Sequence, residues 1–165
     1  MPIHTPRPMR RKDRMLSQEE TLAVLERAEY GVMATVNEDG WPYVVPLSYA
    51  LYNGTLYFHC ALEGQKVDNI ARDSRVCFSV ATDVQAVYTN DYTTKYESAT
   101  VFGHAFRVTD DAEKKAALIA LCQKYLPDHL DGAEASIQRS WQRTAVYGIR
   151  MEHCTGKAKR IQPEA

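Results

Sequence analysis

The dipeptide Asn53-Gly54 separates two strand-like runs, residues 43–52 (YVVPLSYALY) and residues 55–60 (TLYFHC), and no other short feature of the chain limits its fold so sharply. Both turn residues tolerate positive φ, as the tight two-residue turns of β-hairpins require. The second run is therefore expected to return antiparallel beside the first. A similar unit precedes it: the apolar run GVMATV from Gly31, the turn-forming Asn37-Glu38-Asp39-Gly40, and then 43–52. Strand patterns at 75–84, 99–108 and 145–153 bring the expected number of strands to six.

Helical periodicity is confined to a few segments. Ser17-Gln18-Glu19-Glu20 is a capping box, after which Leu22, Leu25 and Ala28 recur at helical spacing until Gly31. Glu63-Gly64-Gln65-Lys66 opens a short helix carrying Val67, Ile70 and Ala71 on one side. Asp110-Asp111 caps an amphipathic helix whose apolar face is Ala117, Leu118, Leu121, Cys122 and Tyr125, and Pro127 stops it. A shorter helix is expected over 133–139. The polar, tyrosine-rich segment 85–96 (QAVYTNDYTTKY) has the composition of a long loop, of which 88–96 is expected to cover a substrate. Six mostly antiparallel strands with few helices predict a mainly β chain whose sheet closes, or nearly closes, into a barrel without exposed edges.

The 165 residues suit one domain, 1–165, with 1–14 as an extended arm because three of the first eight residues are proline. Twenty basic residues against 21 acidic leave a net charge of -1, so no global field draws the chain to nucleic acid or an anionic membrane. Nowhere are there the roughly 18 consecutive apolar residues of a membrane span. The expected location is cytoplasmic. Cys60, Cys77, Cys122 and Cys154 have no C-x-x-C spacing, and His4, His104, His129 and His153 have no metal-ligand spacing, so neither disulfide nor metal is implied. Nucleophile-elbow and paired-carboxylate patterns are missing, which leaves a hydrolase reading without support.

Four places carry candidate chemistry. In YFHCALEGQK a strand ends at His59 and Cys60 and a helix begins near Gly64 with Lys66 in its first turn, so free backbone N–H groups and an ammonium converge as a phosphate needs. The spacing fits equally a solvated surface lysine beside a turn glycine. His59 shares a strand face with Tyr57 by alternation; a histidine there is either structural or, beside a bound anion, a donor or proton source. Pro46 cannot donate to a ladder and marks an edge or a bulge, where backbone becomes free to meet a ligand. The arm Arg10-Arg11-Lys12-Asp13-Arg14 is either a solvated basic arm or a second anion contact. Trp141 is either a core or interface anchor or an aromatic plane beside Arg143.

The ordered blocks RRKDR, ATVNEDGWPYVVPLSYAL, LYFHCALEGQK, YESATVFGHAF and RTAVYGIRMEHCTGK resemble the FMN-binding split-barrel superfamily related to pyridoxamine 5′-phosphate oxidase, and within it the nitroimidazole-resistance (Nim-like) flavoproteins. The resemblance runs from Met9 to Lys157. It implies a six-stranded antiparallel split barrel, a homodimer, and FMN held non-covalently between the subunits. By position, Val44, Val45, Pro46, Leu47, Ser48 and Tyr49 would lie along the isoalloxazine and ribityl chain. His59, Cys60 and Ala61 would flank the flavin, and Gly64, Gln65 and Lys66 would take its phosphate. Arg11 would add an anion contact, while Glu97, Ser98 and Trp141 would approach from the other subunit. His59 is the catalytic candidate.

Departures from the family also matter. Where the oxidase proper has arginines contacting the phosphate, this chain has Val44 and Gln65, and nothing after Lys157 matches the oxidase's substrate-binding segment. Pyridoxamine phosphate oxidation is not expected. The resemblance instead implies an oxidoreductase passing electrons from NADH, NADPH or another donor through FMN to a small acceptor such as a nitroaromatic. The alternatives are a flavin-binding, storage or sensing protein without turnover, and a split barrel that binds haem or deazaflavin.

Overall fold

The computed structural model describes residues 7–88 and 92–160. Residues 1–6, 89–91 and 161–165 lie outside it, and with them the proline-rich start of the arm, His4 and the centre of the 85–96 segment. Among the described residues, seven strands run β1 Gly31–Val36, β2 Pro42–Leu47, β3 Ala50–Tyr52, β4 Thr55–Cys60, β5 Arg75–Val87, β6 Thr93–Arg107 and β7 Ala145–Lys159. Four α-helices accompany them: α1 Gln18–Arg27, α2 Gln65–Arg72, α3 Asp111–Tyr125 and α4 Ala133–Ser140.

All seven strands form one antiparallel sheet in the order β2-β1-β5-β6-β7-β4-β3. Its two outermost strands, β2 and β3, are consecutive in the chain and joined by only Ser48 and Tyr49, so the sheet must curl until its ends nearly meet. The result is a split barrel whose seam is bridged by covalent chain rather than by a ladder. Tyr49 pins that bridge. Its ring is fully buried, packs edge-on against Phe78 at 4.8 Å, and its hydroxyl donates to the Leu25 carbonyl. From outside, the Tyr125 hydroxyl of α3 accepts from the Tyr49 N–H at 3.0 Å.

The barrel interior is filled by Met33, Leu56, Phe58, Phe78, Val101 and Ile149 from the strands and by Val24 and Leu25 from α1. Phe78 fills the space over Gly31 so closely that a Cβ there would fall 2.0 Å from its ring. A second, smaller cluster forms where α3 and α4 lay Ala117, Leu118, Leu121 and Ile137 against Ala50, Tyr57 and Val146 on the outside of the sheet. Strand alternation on β4 thus sends Leu56 and Phe58 inward and Tyr57 outward, as its period of two requires. The capping box of α1 forms in full, with Ser17 Oγ accepting from the Glu20 N–H and Glu20 Oε2 from the Ser17 N–H.

Four expectations need correction. The run 43–52 is not one strand: it breaks at Ser48-Tyr49 as the chain crosses the seam, which raises the count from six to seven. Its partner β4 therefore pairs with β3 and β7 but not with β2. Segment 85–96 is largely strand, because β5 and β6 continue as a ribbon in which Gln85 faces Lys95 and Val87 faces Thr93. A register shift between Thr82 and Gln85, with Asp83 at a φ of 53°, marks where the ribbon leaves the barrel. Lastly, the arm is not extended throughout, since Lys12–Arg14 forms one turn of 3-10 helix held by Met15 N–H to the Lys12 carbonyl.

Candidate functional site

Strand register sorts the candidate residues into two ends of the barrel. Val36 faces Pro42, Arg75 faces His104, Arg107 faces Tyr147 and Cys60 faces Ala145, so these residues border one mouth. At the opposite end Gly31 faces Leu47, Thr82 faces Glu97 and Glu97 faces Ala158. The chain leaves β4 at the first mouth and turns directly into α2, which carries Gly64, Gln65 and Lys66 to the same place as His59, Cys60 and Ala61.

Gly64 is the N-cap of α2 at φ 135°, ψ 163°, a region open in practice only to glycine. That conformation swings the chain so that its carbonyl accepts from the N–H groups of Val67 and Asp68. The first N–H groups of α2 have no partner within the helix and face outward, the ordinary condition of a helix start. No atom lies within 4 Å of where a Cβ on Gly64 would stand, so the approach is open.

Polar side chains lock α2 to the end of β1. Asn69 is buried and donates to Thr35 Oγ1 at 3.0 Å and to Asn37 Oδ1 at 2.9 Å. Gln65 Nε2 donates to the same Asn37 oxygen at 3.0 Å, and Arg72 reaches the Val36 carbonyl. Through β1, the start of α2 is thereby fixed relative to β2, whose exposed face carries Val44 and Pro46. Pro46 stands opposite Val32 on an edge strand, where its missing N–H leaves no ladder partner wanting. Along the same strand Val45 is half-buried, Leu47 is buried, and Ser48 beyond it is exposed.

The mouth is mixed in polarity. Phe58 and Tyr147 stack at 5.6 Å just inside it. Desolvation raises the Cys60 thiol above its ordinary pKa, while the charges of Lys66 and Arg107 pull against that rise. Desolvation likewise raises the Tyr147 phenol. His59 is exposed at the strand end, yet its surroundings strip enough water to lower its pKa, which favours the neutral ring. Lys66 is half-buried and forms no salt bridge among the described residues.

The remaining candidates lie away from the start of α2. Arg11 pairs with Asp13 beside a cleft shared with Glu20 and Arg160 at the opposite end. Glu97 accepts from Arg160 Nε at 2.8 Å and from Arg27, and Ser98 donates to the Lys157 carbonyl at 3.2 Å. Trp141 lines a cleft of about 580 Å³ near the mouth with Leu62, Arg107 and Lys114, the Lys114 ammonium sitting 4.2 Å above its ring. Sequence reasoning missed Asn37, Asn69 and Arg107. The first two carry a faint signal, since Gln65 and Asn69 lie four apart on one helix face; Arg107 carries none, being one more basic residue at a strand end.

An antiparallel split barrel with a glycine-capped helix opening at its mouth defines the class of fold to which the chain belongs. Residues 17–158 match the pyridoxamine 5′-phosphate oxidase family, and the chain belongs to it. Among solved structures, the fold is similar to that of a candidate 5-nitroimidazole antibiotic resistance protein from Bacteroides thetaiotaomicron, with 24% identity, TM-score 0.74, and coverage of 87% of this chain and 86% of the other. It is also similar to a FAD-binding protein from Mesorhizobium loti (23% identity, TM-score 0.61, coverage 89% and 98%). A FAD- and haem-binding protein from Mycobacterium smegmatis is a third (22% identity, TM-score 0.73, coverage 90% and 74%). No curated protein matches the sequence. Among the described residues, no helix is long and apolar enough to cross a membrane.

Proposed function

We propose that this protein binds FMN, with the phosphate at the start of α2 and the ring system along the exposed face of β2, and that it serves as an oxidoreductase. The observation that carries the reading is the convergence at one mouth of an open, glycine-capped helix start, an ammonium without a carboxylate partner among the described residues and the end of β4. The donor set fits a phosphate: outward N–H groups and the positive end of the helix dipole favour an anion, and Lys66 adds a full charge. When bound, the flavin supplies two-electron chemistry, from a reduced nicotinamide to a small acceptor such as a nitroaromatic.

The protein's own contributions are binding, orientation and proton handling. Gln65, held by Asn37, and Lys66 fix the phosphate, while Val44, Pro46 and Ser48 offer an exposed surface for a flat ring. His59 is neutral near pH 7 and presents an N–H donor or an acceptor nitrogen at the edge of the site. An unpaired edge strand bearing exposed Val44, 56% accessible, close to exposed Trp41, 70% accessible, is a surface that a second copy would cover. In such a dimer Glu97, Ser98 and Trp141 would reach the flavin from the other subunit. The similarity to FAD- and haem-binding folds makes FAD and haem the competing ligands.

Adding NADH or NADPH to the yellow protein without oxygen tests the catalytic half of this reading. The flavin absorbance should bleach and return on adding a nitroaromatic. A flavin band that persists with both donors would leave binding without turnover as the function.

A further inference from the structure

We infer that Arg107 is a second cationic ligand of the flavin phosphate, an assignment that rests on the function proposed above. A phosphate monoester carries about −1.5 to −2 charge at neutral pH, more than the single ammonium of Lys66 offsets. Register brings Arg107, the last residue of β6, opposite Tyr147, which in turn faces Phe58 of β4. Phe58 and Tyr147 are interior residues, and alternation sets Arg107 on their row at the rim of the mouth. Val108, the next residue, is buried in the outer cluster, as that alternation demands.

The guanidinium is placed for a ligand rather than for the fold. Arg107 is exposed and forms no salt bridge or side-chain hydrogen bond with the described residues, whereas Arg11, Arg27, Arg75 and Arg160 each hold a carboxylate. Arg107 lines one cleft with Leu62, in the turn between β4 and α2 and two residues before Gly64, and its charge and that of Lys66 both act on the Cys60 thiol at the end of β4. A guanidinium offers a phosphate two parallel N–H donors, a geometry that a lysine cannot supply.

The test is fluorescence titration of flavin-stripped, full-length protein with FMN and with riboflavin, which lacks the phosphate. Wild-type protein should prefer FMN. Arg107→Ala should weaken FMN binding by about 10- to 100-fold and leave riboflavin affinity unchanged, with Arg107→Lys intermediate. Unchanged FMN affinity in Arg107→Ala, or an equal loss for both flavins, would overturn the assignment. Wild-type protein that binds the two flavins equally would instead overturn the phosphate site itself, and protein that binds neither would overturn the flavin reading.

Discussion

The two ends of the barrel handle charge in opposite ways. At the closed end, where β7 finishes, two arginines bridge carboxylates: Arg160 spans Glu20 and Glu97, and Arg27 spans Asp83 and Glu97. At the mouth, Lys66 and Arg107 stand without carboxylate partners among the described residues, beside an open helix start. Paired surface charges cost little and contribute little, about 0–1 kcal/mol each, so they are at home in a scaffold. Unpaired cations gathered around outward N–H groups gain their full interaction only when an anion arrives. The contrast separates the part of the molecule that holds the fold from the part that awaits a ligand.

Lys66→Ala tests this contrast most severely. It should weaken FMN binding by roughly 100-fold while leaving the melting temperature of the ligand-free protein unchanged, because the lost interaction is with the ligand alone. Unaltered flavin affinity would dissolve the distinction between the ends. Asn69→Ala comes next: it strips the donor from Thr35 Oγ1 and Asn37 Oδ1 and should cost about 1–3 kcal/mol in chemical denaturation. Flavin affinity should fall with it, since α2 is no longer fixed against β1.

Smaller effects belong to the closed end. Glu97→Gln should lower stability by no more than about 1 kcal/mol at neutral pH. Burial works to raise the Glu97 carboxyl, but hydrogen bonds from Arg160 and Arg27 outweigh it and hold the group below its ordinary 4.5. Its stabilisation is therefore present above that pH and is lost as pH falls through the lower folded value. Wild-type protein should show this acid loss and the Gln variant should not. If Glu97→Gln also weakens flavin binding, the closed end of one subunit meets the mouth of another in a dimer.

The smallest effect concerns His59. Its lowered pKa means the unfolded chain binds the proton more readily, so stability should decline modestly as pH drops below 6.5, and His59→Gln should flatten that decline. Acceptor reduction that is unchanged in the same variant would remove His59 from the chemistry.

Local signals carried much of this architecture. Asn53-Gly54, the Ser17 and Asp110 caps and the start of α2 near Gly64 depend on turn and cap chemistry between near neighbours, and all were legible. The split of residues 43–52 was not, because Ser48-Tyr49 looks like continuous strand and only the closure of the barrel makes the chain change ends there. The ribbon of β5 and β6 has the composition of a loop because, beyond the barrel, residues 83–86 have no buried face to impose alternation. At the site, Gly64 and Lys66 were visible as a local pattern. Arg107 was not, since its meaning comes from strands β4 and β7, whose residues Phe58 and Tyr147 lie 49 positions before it and 40 after it.

The most direct test of the central claim is to denature the purified protein and identify the chromophore it releases by chromatography. The account predicts FMN, close to one per chain in protein saturated with it. Release of FAD or haem in its place, or a colourless protein that refuses added FMN, would contradict it.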